Sequence, residues 1–220
     1  GVWNINYTFQ SVSNVVETTT EVSCNQRRQV MFMPLHLLSA GNQQYGTNKT
    51  QGLFAGLEYL ENEASSSQLD IVGSESARRT PSPHKVTFPL MSIVQNGVYI
   101  GFIWERNLDY SPIFDSPDRT FNTDTHIMGL LFPGWENVRR IEGEILPQEG
   151  LEVSPGNKVV SRAWIIAGEG ATVIPSVQQY IKLRGLPPLP DTGYNLDGYV
   201  QLTIHGWLKS KVRENNLYRH

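Results

Sequence analysis

Residues 2–21, closing on "VVETTTEV", alternate polar with β-branched positions, the pattern of a strand with one wet face. The next run, "QVMFMPLHLLSAG", is densely apolar and short enough for a buried strand. Pro34 within it has no N–H to give a ladder, which calls for a sheet edge or a bulge. The polar series 39–52 reads as a loop. The clearest signal is "KVTFPLMSIVQNGVYIGFIWE", residues 85–105, where Asn96-Gly97 separates two β-rich arms and both residues accept the positive φ of a type I′ turn. In the second arm Val98, Ile100, Phe102 and Trp104 point one way and Tyr99, Gly101 and Ile103 the other. Both faces are apolar, so this hairpin is expected inside a stack of sheets. "HIMGLLFPGW" reads as another buried strand, and "LEVSPGNKVVSRAWIIAG" as a second hairpin turning at Pro155-Gly156-Asn157.

The period changes after Gly168. In "GATVIPSVQQYIKLRGLPPLP", Pro175 falls in the first turn of a helix, Val177, Tyr180 and Ile181 share a side, and Gly185 follows its end. A stiff Pro-rich linker comes next. Val200, Ile204, Trp207, Leu208 and Val212 then recur at helical spacing, giving a last helix whose apolar stripe seeks a partner. No repeat of 20 to 50 residues is visible.

Composition narrows the picture. At 220 residues the chain can bury a full core without staples, and the single Cys24 cannot form an internal disulfide. A net charge of -3 and a pI near 6.0 give no field for phosphate backbones, so nucleic acid is not an expected partner. No apolar run is long enough to cross a bilayer as a helix, and no membrane span is expected. The first residue, Gly1, suggests a trimmed start, and a periplasmic or secreted setting is slightly favoured over a cytoplasmic one.

No dinucleotide fingerprint, phosphate loop, zinc spacing, calcium loop or nucleophile elbow is present, and no cofactor or metal is expected. His36, His84, His126, His205 and His220 are scattered, each more often structural than a ligand or catalyst. Glu58, Glu61 and Glu63 would suit glycosidic chemistry, which uses paired carboxylates. On a strand, though, Glu61 and Glu63 share a face that Glu58 does not, and an acidic strand end before a serine tract is the plainer reading. The loop 109–126 gathers Asp115, Asp118, Arg119, Asp124 and His126, either as a functional loop or as ordinary turn chemistry. Among the tryptophans, Trp104 and Trp135 stand at strand ends as candidate sugar platforms, Trp164 reads as packing, and Trp207 lies on the helical stripe. Asn6-Tyr7-Thr8 and Asn48-Lys49-Thr50 match the glycosylation triplet, which also arises by chance.

The order of the segments "LFAGLEYLENEASSS", "PHKVTFPLMSIVQNGVYIGFIWE", "IFDSPDR", "HIMGLLFPG", "QQYIKLRGLPPLP" and "IHGWLKSKVRENNLYRH" resembles the N-terminal region of large bacterial glycoside hydrolase or polysaccharide lyase-like proteins. Those proteins couple a galactose-mutarotase-like β-supersandwich to an (α/α) toroid. The resemblance implies a mostly β fold of antiparallel sheets with a short C-terminal helical segment. It implies a β-supersandwich over 1–170, a connecting helix and linker over 171–192, and the start of a helical domain over 193–220. It also implies a carbohydrate ligand and a toroid partner in the same chain. Its segment-defining positions fall on Glu58, Glu61, His84, Lys85, Asp115 and Arg119, while no catalytic residue carries over. Together with Trp104, His126 and Trp135, these (Lys85 aside) are the candidate cleft residues. The expected role is an accessory domain, non-catalytic alone. The alternatives are a self-sufficient mutarotase or epimerase, which needs a His and a carboxylate in one cleft, and a purely structural domain orienting a toroid.

Overall fold

The structure is a computed structural model. It describes residues 1–41, 46–63, 85–118, 120–134, 150–186, 188, 191, 193–210, 212–214 and 217–219, the last two groups by backbone alone. The chain divides into two compact units, 1–184 and 185–220.

Unit one is built on a seven-stranded antiparallel sheet in the order β1 (Trp3–Val12), β2 (Val15–Cys24), β12 (Lys158–Glu169), β8 (Val98–Trp104), β7 (Leu90–Gln95), β5 (Gln51–Phe54) and β6 (Glu58–Glu61). Over one face lies a three-stranded sheet of β4 (Met33–Ala40), β10 (His126–Phe132) and β9 (Ser111–Asp115). A small ladder joins β3 (Arg28–Val30) to β11 (Leu151–Val153). The mostly antiparallel β architecture with C-terminal helices is thus the observed one.

The core between the sheets holds Val22, Leu35, Phe54, Met91, Phe102, Phe114, Met128 and Leu130. A second cluster, with Val94, Tyr99, Ile103, Trp164 and Ile166, fills the opposite face of the large sheet. Helix α1 (Ile174–Arg184) covers that face, bringing Val177 and Tyr180, the latter's ring centroid 4.9 Å from that of Phe88. This explains the doubly apolar β8. The expected layer on one side is a sheet, but on the other a helix takes its place. Each such side chain contributes roughly 1.5–3 kcal/mol when fully buried.

The turns follow local chemistry. Asn96 and Gly97 have φ of 52° and 74°, so the expected type I′ hairpin joins β7 to β8. The opening segment differs from the single strand expected. Ser13, at φ 56°, and Asn14 fold it into a hairpin of β1 and β2, paired without interruption from Trp3↔Cys24 to Val12↔Val15. The turn at 155–157 forms, with Asn157 N–H donating to the Ser154 carbonyl, but the expected hairpin does not. Strand β11 leaves to pair with β3, while β12 inserts between β2 and β8.

Pro34 lies on an edge strand and beside a bulge, as its chemistry demands. Leu130 pairs with His36 and Leu131 with Pro34, so Leu35 is the extra residue on β4. The inward alternation therefore changes phase, from Met33 and Leu35 before it to His36, Leu38 and Ala40 after it. Two consecutive side chains, Leu35 and His36, end up buried.

Helix α1 carries Pro175 in its first turn and stops before Gly185, at φ 74°. In unit two, helix α2 (Leu196–Ser210) is capped by Asn195, whose side-chain oxygen accepts from Gly198 N–H at 2.8 Å. Its Val200, Ile204, Trp207 and Leu208 are all exposed. Val212, expected on the same stripe, instead begins β13 (Val212–Glu214), paired with β14 (Leu217–Arg219).

Candidate functional site

The β4 bulge builds the first site. His36 points from the small sheet to the large one, where Ser161 of β12 and Thr20 of β2 face it. Its Nε2 is 2.8 Å from Ser161 Oγ, its Nδ1 is 3.4 Å from Thr20 Oγ1, and the Thr20 hydroxyl donates to the Leu35 carbonyl at 3.1 Å. Nε2 also lies 3.4 Å from the Ser161 carbonyl, so Ser161 meets one ring nitrogen with both its hydroxyl and its backbone oxygen while Thr20 meets the other. Burial pulls the His36 pKa below the usual imidazole range, against a smaller opposing pull from the Ser161 carbonyl.

Beside His36 lies a cavity of about 310 Å³. Tyr7 and Phe9 of β1 line one side, Thr18 and Phe102 the floor, and Leu37 and Leu38 of β4 the other side. The cavity exists because the seven strands below outnumber the three above, so among the described residues no strand lies over the inner face of β1. Its volume is at the small end of ligand pockets, enough for one ring, and its walls mix aromatic faces with a few hydroxyls. None of the described residues lining it is a carboxylate.

A second polar cluster sits at one end of the small sheet. His126 is fully buried, with Nδ1 2.7 Å from Ser116 Oγ and Nε2 3.1 Å from the Asn48 carbonyl. The Nε2–H therefore donates to Asn48 and Nδ1 accepts from Ser116. Lys49, also buried, donates to the Ser116 carbonyl at 3.0 Å. Burial lowers the Lys49 pKa, offset in part by the carboxylates of Glu58 and Glu63. For His126, burial lowers the pKa, the bond to Asn48 opposes it, and the Lys49 charge adds to the lowering. Nearby, Asp115 accepts from the N–H and hydroxyl of Thr120, both at 2.8 Å. Asp118 accepts from Phe121 N–H at 3.0 Å and from Thr123 N–H and hydroxyl at 2.9 and 2.6 Å. Burial alone would raise the Asp118 pKa, yet these bonds hold it below the usual carboxylate range. Both carboxylates and both ring nitrogens of His126 have hydrogen-bond partners within the cluster, which is how a loop is locked rather than how a base is poised.

The sequence candidates therefore separate. Asp115 and His126 come together in this second cluster. Glu58 faces inward beside Leu60, near enough to act on Lys49, whereas Glu61 points outward on the edge strand β6. Asn62, at φ 54°, ends the alternation, so Glu61 and Glu63 do not share a strand face. Trp104 is only 3% exposed, stacked on Phe102 and edge-on to Phe54, and it has no face left for a sugar. Trp164 packs as expected, with its indole N–H donating to Glu17 at 3.2 Å. Lys85 is exposed, as is His205 on α2. His84, Arg119, Trp135 and His220 lie outside the described residues. The cavity's own residues, Tyr7, Phe9, Thr18 and His36, were not singled out by the sequence. The available signal was His36 itself, a polar residue two positions after a proline in an apolar run.

Fold and cavity together define an antiparallel β-sandwich with a small, mostly apolar cavity. No family model matches the chain, and no curated protein matches it. Among solved structures it is similar to a protein from Synechocystis sp. PCC 6803, at 12% identity and a TM-score of 0.39, over 76% of this chain and 55% of that one. It is also similar to a candidate aldose 1-epimerase from Escherichia coli K12, at 13% identity and a TM-score of 0.32, over 76% of this chain and 60% of that one. The chain thus spans less than two thirds of the length of either structure.

Proposed function

We propose that this chain is an accessory carbohydrate-binding β-sandwich that holds one sugar ring in the cavity beside His36 and performs no chemistry alone. The observation that supports it is the make-up of the cavity: aromatic side chains at Tyr7 and Phe9, hydroxyls at Tyr7 and Thr18, a single-ring volume, and no carboxylate among its described lining residues. Aromatic faces accept the C–H face of a pyranose, and hydroxyls meet its edge. His36 is tied at both ring nitrogens to Thr20 and Ser161, so a proton transfer to ligand would have to break that network. In this reading a toroid domain, implied by the sequence resemblance and beginning near residue 193, supplies the chemistry.

Calorimetric titration with mono- and disaccharides tests the proposal. Binding in the millimolar range or tighter, weakened at least fivefold by Tyr7→Ala or Phe9→Ala, is the expected result; both side chains are more than half exposed, so the fold should survive. No heat with any sugar would sink it. An anomerisation assay on free aldoses addresses the epimerase alternative, and a rate equal to buffer is expected.

A further inference from the structure

Strand β1 is an edge strand with none of the usual protections. All ten of its residues, "WNINYTFQSV", are exposed; it carries no charge and no proline, and among the described residues its outer edge pairs with no strand. Natural edges of this length are normally blunted by lysine, proline or a bulge, because a free row of N–H and C=O groups recruits another strand. The backbone phase can be read directly. Val2 turns its carbonyl to Asn25 N–H on the β2 side, and the register then runs unbroken, so Asn4, Asn6, Thr8 and Gln10 also point their backbone at β2. Trp3, Ile5, Tyr7, Phe9 and Ser11 point theirs at the open side, while their side chains stand on the inner face.

We propose that β1 pairs antiparallel with β1 of a second copy of this chain about a two-fold axis at Tyr7. In that register Tyr7 meets Tyr7 of the partner subunit, Ile5 meets Phe9 of the partner subunit, and Trp3 meets Ser11 of the partner subunit. Every outward backbone group from Trp3 to Ser11 is then satisfied. Charge favours self-pairing: an isologous antiparallel contact sets each residue against one of its own strand, and this strand has no like charges to oppose. On the adjoining strand, Glu17 and Glu21 are paired with Arg162 and Lys158 at 3.2 and 3.1 Å. Nine paired residues a side would bury on the order of 800–1,000 Å² in total, the low end for specific association, so the dimer is weak and concentration-dependent. The partner's Ile5 would stand beside Phe9 at the cavity mouth, completing a wall that one copy leaves open. The pairing does not depend on the cavity's ligand being a sugar.

Sedimentation velocity of the whole chain from low micromolar to near-millimolar concentration is the test, with two sets of variants. A monomer–dimer equilibrium is expected. Ile5→Lys with Phe9→Lys sets like charges across the axis and should weaken it at least tenfold, while Ile5→Lys with Phe9→Glu sets opposite charges there and should restore it. Tyr7→Cys should cross-link under mild oxidation, since hydrogen-bonded partners have Cα atoms about 5.5 Å apart, within disulfide reach. Thr8→Cys, which faces Asn6 of the partner subunit, should not. The native Cys24 is buried and serves as the unreactive control. A chain monomeric throughout, or cross-linking equally at both positions, overturns the proposal. Slow amide exchange at Tyr7 in such a monomer would assign the edge to another segment of the same polypeptide, and that too overturns it.

Discussion

His36 Nε2 and Ser161 Oγ lie 2.8 Å apart, joining the edge strand of the small sheet to the middle of the large one across a mostly apolar core. A buried polar pair of this kind contributes little net stability when complete and costs much when halved. Ser161→Ala leaves Nε2 without its hydroxyl partner, and a loss of about 1–3 kcal/mol is expected. His36→Ala adds a cavity to an orphaned hydroxyl, for about 2–4 kcal/mol. Urea denaturation followed by tryptophan fluorescence gives both values. A double mutant as unstable as the sum of the singles would show that the two side chains do not act as a pair.

Gly129 of β10 fixes how closely the two strands of the small sheet approach. A Cβ built there falls 2.1 Å from the His36 carbonyl oxygen, and backbone cannot step aside as a side-chain tip can. Gly129→Ala should therefore cost more than about 3 kcal/mol and displace His36 with it. Gly97→Ala, where no atom lies within 4 Å but φ is +74°, should lose only about 1 kcal/mol through strain. The ratio of the two losses, read from thermal midpoints, separates steric from conformational cost.

Stability should fall on mild acidification. His36 and His126 both have folded pKa values below the 6.5 of an exposed imidazole, so the unfolded chain takes up protons first as the pH drops. The stability present above pH 6.5 is lost progressively below it, until the folded rings titrate themselves. Urea midpoints measured between about pH 8 and pH 5 should decline, and His126→Gln should flatten part of the slope. A flat profile in the native chain would refute neutral burial of both rings.

Asp118 acts in a more acidic window. Its folded pKa is depressed by the bonds from Phe121 and Thr123, so its contribution is present above the unfolded value of 3.8 and is lost as the pH falls through the folded one. Asp118→Ala removes the hydrogen bonds from Phe121 and Thr123 together and should cost about 2–3 kcal/mol at neutral pH. Thr123→Val should reproduce part of that loss, checked by the same denaturation series.

How much of this was written in the sequence depends on how local its cause is. Asn96-Gly97 announced its hairpin because the turn needs two positive φ values and both residues supply them. Ser13-Asn14 did not, because alternation runs through the turn without a glycine to break it. Pro175 and Gly185 bracketed α1 through rules that act within one helical turn. The partners of β11 and β12 were hidden, since a turn says that two strands part but not which neighbours they find. The cavity was least legible of all. It depends on a single extra residue, Leu35, which changes the phase of β4 and carries His36 inward, and on a count of strands in two sheets that no window of sequence records. Lys49 and His126 are 77 positions apart in sequence, and only the meeting of the segment before β5 with the start of β10 makes them neighbours.

The mismatch of seven strands under three also sets a gradient of endurance across the large sheet. At β8, sheet and helix press from both sides, and amide protons there should exchange only with global unfolding. At β1 all ten residues are exposed, so this one strand can peel away from β2 while the rest stands. The part of the molecule that opens most readily thus carries Tyr7 and Phe9, and slowed exchange in residues 3–12 becomes a direct gauge of whatever occupies the cavity or the edge.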